Sequence, residues 1–189
     1  MVLIPATLLT ALVLGLGSAA WMVSRASPFG GVPAGAWTAW PKLGSRDVDP
    51  YALAIRARTA DVPLGAGEGL VISARVDGDG RPLEAACTYR VEGATPPARY
   101  WTLTLTDPEG APVRTPLGRA GFTSREVLRD GQGRTAVVLS PAAAPGNWLQ
   151  MPEHGRVTLV LRLYDTPISG ASGLDPETLP RIRREGCRP

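Results

Sequence analysis

The sequence predicts an all-β protein, an antiparallel β-sandwich preceded by an N-terminal transmembrane helix and one short α-helix. Three observations carry this. Val2 to Val23 contains no charged side chain. From about residue 70 onward, apolar and polar residues alternate with a period of two in several short segments. Between those segments stand turn sequences such as Asp77-Gly78-Asp79-Gly80, Asp107-Pro108-Glu109-Gly110 and Asp130-Gly131-Gln132-Gly133. Period-two runs joined by Asp-Gly turns are the signature of hairpins and sandwiches, and no strand–helix–strand rhythm competes with it.

The charge-free run comes first. At about 1.5 Å per helical residue it reaches roughly 33 Å, the thickness of a bilayer's hydrocarbon core. It is longer than a usual signal-peptide core, and the α-amino group of Met1 is its only preceding charge. Ser18-Ala19-Ala20 and Ser24-Arg25-Ala26 are acceptable cleavage motifs, so a processed signal is the alternative. Trp21 and Met22 at the exit favour an uncleaved interfacial anchor. Ala11, Gly15 and Ala19 form a small-residue stripe of the kind that pairs helices, a spacing common by chance.

Residues 25–48 read as a linker, because Pro28, Gly30, Gly31, Pro33, Gly35 and Pro41 oppose regular structure. Trp37 and Trp40 within it are expected to dock on the domain. Asp49-Pro50 supplies an N-cap and a first-turn proline for a helix over Tyr51–Ala60, with Tyr51, Leu53, Ala54 and Ile55 as its apolar contacts. Strands follow over Leu70–Val76, Leu83–Val91, Tyr100–Thr106, Thr123–Leu128, Thr135–Leu139 and Val157–Tyr164. Leu83, Ala85, Cys87, Tyr89 and Val91 share one face of the second. Trp101, Leu103 and Leu105 share a face of the third, and Val157, Leu159, Leu161 and Leu163 a face of the last. The division is therefore an anchor over 1–24, a linker over 25–48 and a sandwich domain over 49–189.

Charge and cysteine content bound location and partners. The chain has 189 residues with 20 basic and 17 acidic side chains, and every basic residue except Lys42 is arginine. Acids and bases alternate along the domain, whereas a nucleic-acid binder clusters its positive charge, so nucleic acid is excluded as a partner. The local excess, Arg181, Arg183, Arg184 and Arg188, reads as a solvated tail. Arg25, Lys42 and Arg46 after the apolar run would hold the domain in the cytoplasm by simple positive-inside counting. The cysteines argue the other way. Cys87 and Cys187 are an even pair compatible with one disulfide in an oxidising compartment, two separate thiols being the alternative. The domain is accordingly expected outside the cytoplasm.

Several fragments carry a family resemblance. They are Arg81-Pro82-Leu83, Cys87-Thr88-Tyr89-Arg90, Arg99-Tyr100-Trp101-Thr102-Leu103, Asn147-Trp148-Leu149-Gln150, the run from Val157 to Tyr164, and Ile182 to Cys187. In this order and spacing, over about residues 37–189, the chain resembles the bacterial DUF1214 family, and in particular its short membrane-anchored members. The resemblance implies a jelly-roll-like sandwich on an inner-membrane anchor facing the periplasm. It implies no reaction, since the family has no established one. In larger proteins of the family the domain follows another uncharacterised domain, so a separate envelope protein is the expected partner of a short form.

Chemistry-bearing residues are sparse. His154, the single histidine, falls in a turn before the last strand and reads as solvated. No G-x-S-x-G elbow occurs, and one histidine with two distant cysteines offers no zinc spacing. The Asp77–Arg81 loop has arginine where a calcium loop needs an acid. No catalytic, cofactor or metal residue is assigned. Trp101 and Trp148 read as core. Tyr100, Arg162 and Tyr164 project from the opposite face of their strands and form a candidate ligand surface if those strands are neighbours. The leading functional reading is an envelope binding or assembly module. The alternative is an envelope enzyme, or an accessory subunit of one, using dispersed carboxylates such as Glu84, Asp107 and Glu153.

Overall fold

A computed structural model describes residues 3–24, 30–58, 63–65, 67–168 and 174–188. Met1, Val2, Arg25, Ala26, Pro28 and Ala60, named in the expectations, lie outside the described residues, as does residue 59 of the expected helix. Helix α1 runs Leu3–Ser24 and buries none of its residues. It is long and apolar enough to cross a membrane, a property it shares with signal sequences. Helix α2, Pro50–Arg56, begins as the sequence predicts: the Asp49 carboxylate accepts from the backbone N–H of Tyr51 at 2.9 Å and of Ala52 at 3.1 Å.

The described strands are β1 (Val32–Ala34), β2 (Trp37–Ala39), β3 (Gly69–Ala74), β4 (Cys87–Gly93), β5 (Tyr100–Thr106), β6 (Gly121–Thr123), β7 (Thr135–Ser140), β8 (Asn147–Gln150), β9 (Thr158–Tyr164) and β10 (Arg181–Cys187). They form two sheets, a larger one in the order β1-β2-β3-β9-β5-β6 and a smaller one in the order β10-β4-β7-β8. All pairs are antiparallel except β7 and β8, which run parallel from Val137 opposite Asn147 to Ser140 opposite Gln150. Among the described residues the protein is thus an all-β sandwich with two α-helices.

Alternation along the strands builds the core. Ile72, Leu103, Leu105, Leu159, Leu161 and Leu163 come from the larger sheet; Tyr89, Val91, Val137, Leu139, Leu149 and Ile182 come from the smaller. Fully burying one such leucine or isoleucine stabilises the fold by about 1.5–3 kcal/mol. Leu83, Ala85, Cys87, Tyr89 and Val91 are all buried, as their period predicts, and so are Trp101, Leu103, Leu105, Val157, Leu159, Leu161 and Leu163.

Several segments differ from the sequence reading. Within the expected linker, residues 32–39 form a β1–β2 hairpin that extends the larger sheet. Pro33 is tolerated because β1 is an edge strand, and Gly35 takes the positive φ (64°) that the turn requires. On α2 the buried residues are Ala52 and Ile55, while Tyr51 and Leu53 are exposed. The Asp77 turn does not close a hairpin within one sheet: after the isolated bridge Val76–Pro82 the chain crosses, and β4 joins the smaller sheet. Residues 124–128 are not a strand. Glu126 folds back on Thr123, its carboxylate accepting the Thr123 N–H at 3.0 Å, and a local turn of this kind competes with strand pairing.

Trp148 is half-buried rather than core, because its neighbour Asn147 takes the inward position. The Asn147 side chain accepts from Leu128 N–H at 2.7 Å and donates to the carbonyls of Leu128 at 2.8 Å and Ala136 at 3.0 Å. Trp148 Nε1 donates to the Ser140 carbonyl at 3.1 Å. The expected tail is instead β10, an edge strand on β4 with Ile182 inward and arginines on its rim. Charged edge residues of this kind discourage pairing with other chains.

Candidate functional site

The outward face of the larger sheet gathers the features that could serve recognition. β9 is central, between β3 and β5. Tyr164 on β9 lies directly opposite Tyr100 on β5, their ring centroids 5.7 Å apart and tilted by 48°. Arg162, two residues back on the same face, stands between Val71 of β3 and Thr102 of β5. The three candidate ligand-surface residues therefore share one patch, and each is half-buried. Beside it Arg99 and Asp165 form an exposed ion pair at 3.6 Å.

Further along the same face, α2 and the segments at 40–44 and 63–65 form a cover. Between cover and sheet is a cleft of about 110 Å³. Its apolar walls include Trp40, Leu43, Ile55, Leu64, Val71 and Val160, and Ser73, Arg75, Asp107 and Glu109 supply polar groups. The cover sits close to its own chain: a Cβ added at Gly44 would lie 1.8 Å from the Leu64 carbonyl oxygen. Loss of solvation around the Arg75 guanidinium pulls its pKa below the ordinary value, and the Glu109 carboxylate opposes that shift. A cleft with apolar walls and a few polar groups is the usual form of a small-molecule or side-chain receptor. Its volume suits a single side chain or a short alkyl group.

A third cluster joins the sheets. Asp77 accepts from the backbone N–H of Asp79 and of Arg81, each at 3.0 Å, and from Arg81 Nε at 3.1 Å. Burial pushes the Asp77 carboxyl up, but these bonds and the Arg81 charge outweigh it and hold the pKa below the ordinary carboxylate value. Arg184 of β10 approaches the same carboxylate, and its guanidinium carbon lies 5.3 Å from the Tyr89 ring centroid. The Tyr89 hydroxyl accepts from the Glu84 N–H at 2.8 Å, and burial raises its pKa. The Asp-Gly-Asp-Gly loop thus spends its carboxylates on arginines. Among the described residues no group of three or more His, Cys, Asp or Glu side chains is placed to hold a metal.

Cys87 and Cys187 are directly opposed across β4 and β10 and form a disulfide. His154 is exposed in the turn between β8 and β9. Glu84 and Glu153 are exposed in neighbouring turns, Glu84 through its bridge to Arg156. Asp107 belongs to a different loop, where its carboxylate accepts the Ala111 N–H at 2.8 Å, and it lines the cleft. The cleft was not legible in the sequence. Its only signal was Trp40, an aromatic residue in a Pro- and Gly-rich stretch.

The sandwich and its two contact features define a β-sandwich domain attached to an apolar helix. Residues 68–168 match DUF1214, described as a protein of unknown function, and the chain belongs to that family. No curated protein matches it. Among solved structures it is similar to the VPA0106 protein from Vibrio parahaemolyticus, with 18% identity, a TM-score of 0.56, and coverage of 72% of this chain and 35% of that one. An uncharacterized protein from Burkholderia cenocepacia aligns with 18% identity and a TM-score of 0.42, over 95% of this chain and 53% of that one. The chain therefore spans about a third of the Vibrio protein and about half of the Burkholderia protein. At this identity the Vibrio likeness concerns the fold alone.

Proposed function

We propose that the protein is a membrane-tethered binding or assembly module of the cell envelope, with its sandwich on the periplasmic side. The observation that carries this reading is the outward face of the larger sheet, where the Tyr100–Tyr164 pair, Arg162 and the α2-covered cleft share one surface. Aromatic and arginine side chains on one face are the residue types that dominate recognition energetics. The apolar, unburied α1 supports a tether, and the Cys87–Cys187 bond supports an oxidising compartment. The partner is a separate envelope protein that presents an apolar side chain to the cleft.

Crosslinking and pull-down of the detergent-solubilised full chain test this. Capture of an envelope protein that is lost in the Tyr100→Ala/Arg162→Ala double variant supports it. Capture of nothing, or capture unaffected by that variant, overturns it. A reporter fused after Pro189 tests the side of the membrane, and activity only in the cytoplasm removes the periplasmic assignment.

A further inference from the structure

The second helix is apolar on the wrong side. Ala52 and Ile55 face the sandwich, yet the opposite surface carries Pro50, Leu53 and, just past the helix end, Ala57, all exposed, Leu53 at 56%. Apart from Arg56 at its end the helix is apolar all round, and such a helix belongs in a nonaqueous setting. The fold supplies no protein cover for that surface among the described residues. It does supply proximity to a membrane segment. α1 packs toward α2, and the α1 residues shielded from solvent are Ala19, Met22 and Val23, at its C-terminal end. If α1 crosses a bilayer, that end lies at the interface.

Chain length enforces the same proximity. Eight residue steps separate Ser24 from Val32, a reach of at most roughly 28 Å. A domain of about 150 residues has a radius of gyration of about 15 Å, so its width exceeds its tether. Charge agrees as well. Lys42 and Arg46 precede α2 and Arg58 follows it, all exposed. Asp47 and Asp49 lie among them, Asp49 capping the helix, and with Arg56 the stretch from Lys42 to Arg58 keeps a net positive charge. Basic residues flanking an apolar helix face suit an anionic headgroup layer.

We infer that α2 docks through Pro50, Leu53 and Ala57 into the headgroup–acyl boundary of the same bilayer that α1 spans. This rests on the anchor reading of α1 and goes beyond it, because a tethered domain need not lie down. Docking holds the sandwich in a fixed orientation and places the α2-roofed cleft about one helix diameter, roughly 10 Å, from the headgroups.

The test uses the full chain, with its native disulfide, in nanodiscs of phosphatidylcholine and phosphatidylglycerol. Spin labels are placed singly at Leu53→Cys, at Leu12→Cys within α1, and at Leu128→Cys, an exposed position next to the smaller sheet. Collision rates are measured with dissolved oxygen and with a water-soluble nickel chelate. The expected result is a severalfold preference for oxygen at positions 12 and 53 and the reverse at 128. A lipid-like response at 12 with an aqueous response at 53 overturns docking and leaves the anchor standing. An aqueous response at 12 removes the anchor and the docking together. All three positions are exposed, so labelling leaves the core intact.

Discussion

Asp77 and Arg184 meet with Oδ2 and Nε 3.0 Å apart, although the Asp77 side chain is only 1% exposed and that of Arg184 only 15%. The contact is an ion pair rather than an aligned hydrogen bond. It joins the turn after β3 to β10, and so ties the larger sheet to the edge of the smaller. The Asp77 N–H lies in the same turn, and the Gly78 N–H donates to the Ile182 carbonyl at 2.8 Å.

Removing one partner of a buried pair costs more than the pair is worth, because the other charge is left uncompensated. Asp77→Ala should therefore destabilise the protein by about 3–5 kcal/mol. Arg184→Met should cost less, about 1–2 kcal/mol, since Asp77 keeps Arg81 and two backbone donors. Urea unfolding of both variants in detergent checks the asymmetry; equal losses would refute it.

The same carboxylate makes stability depend on pH. Its folded pKa lies below the ordinary 3.8, so the folded state favours the ionised form. The resulting stabilisation is fully present above about pH 5 and fades as pH falls through the folded pKa, below 3.8. Asp130 and Glu126 are also held low by hydrogen bonds and contribute in the same window. Wild type should lose stability more steeply than Asp77→Asn between pH 5 and pH 2, as measured by thermal unfolding. Parallel curves would place the acid sensitivity elsewhere.

The disulfide closes a loop with a sequence separation of 100. Chain entropy assigns such a cross-link about 4.7 kcal/mol. The Cys87→Ala/Cys187→Ala variant should lose about 4 kcal/mol, and dithiothreitol should bring wild type to the same midpoint in denaturant. A loss below about 1 kcal/mol would mean that β10 stays paired without the bond.

Trp37 reaches from β2 to the chain entering β10, its Nε1 donating to the Pro180 carbonyl at 2.7 Å in a buried setting. Trp37→Phe removes the pyrrole ring with its N–H, orphaning that carbonyl and leaving a cavity, for an expected cost of about 2–4 kcal/mol. Thermal unfolding reads the change.

Gly44→Ala probes the cover over the cleft. The added methyl cannot coexist with the Leu64 carbonyl, so the cover must shift while the sandwich core is untouched. Strain of this kind costs about 1–3 kcal/mol. The emission of the half-buried Trp40, isolated by difference against the Trp40→Phe variant, should move to longer wavelength; an unchanged difference spectrum would show that the cover accommodates the methyl in place.

The inner faces of the sandwich were readable because burial imposes a period of two. Leu83 to Val91 obeys it residue for residue, and Val157, Leu159, Leu161 and Leu163 all face inward, although Thr158 and Val160 between them are buried on the other face. Edge strands were not readable in the same way. β10 looks like a tail because its outward positions are arginine and only Ile182 is apolar and inward. β1 and β2 are three residues each, too short for any period, and their prolines and glycines belong to an edge and a turn. Tyr100, Arg162 and Tyr164 could be placed on outward faces from sequence. Their meeting depended on β9 being inserted between β3 and β5, a long-range choice that local pattern does not encode. The cleft depended on the path of a nonrepetitive segment and left even less trace.

The placement of β9 and β10 also dictates when the domain can form. β3 waits for β9 as its neighbour, and β4 for β10, so each sheet lacks an internal strand or an edge until the chain has been made as far as residue 164 and then 187. Contacts so distant in sequence make for slow folding. An emerging chain therefore exposes unpaired strands for most of its synthesis. Closure of the Cys87–Cys187 bond must likewise await the last strand.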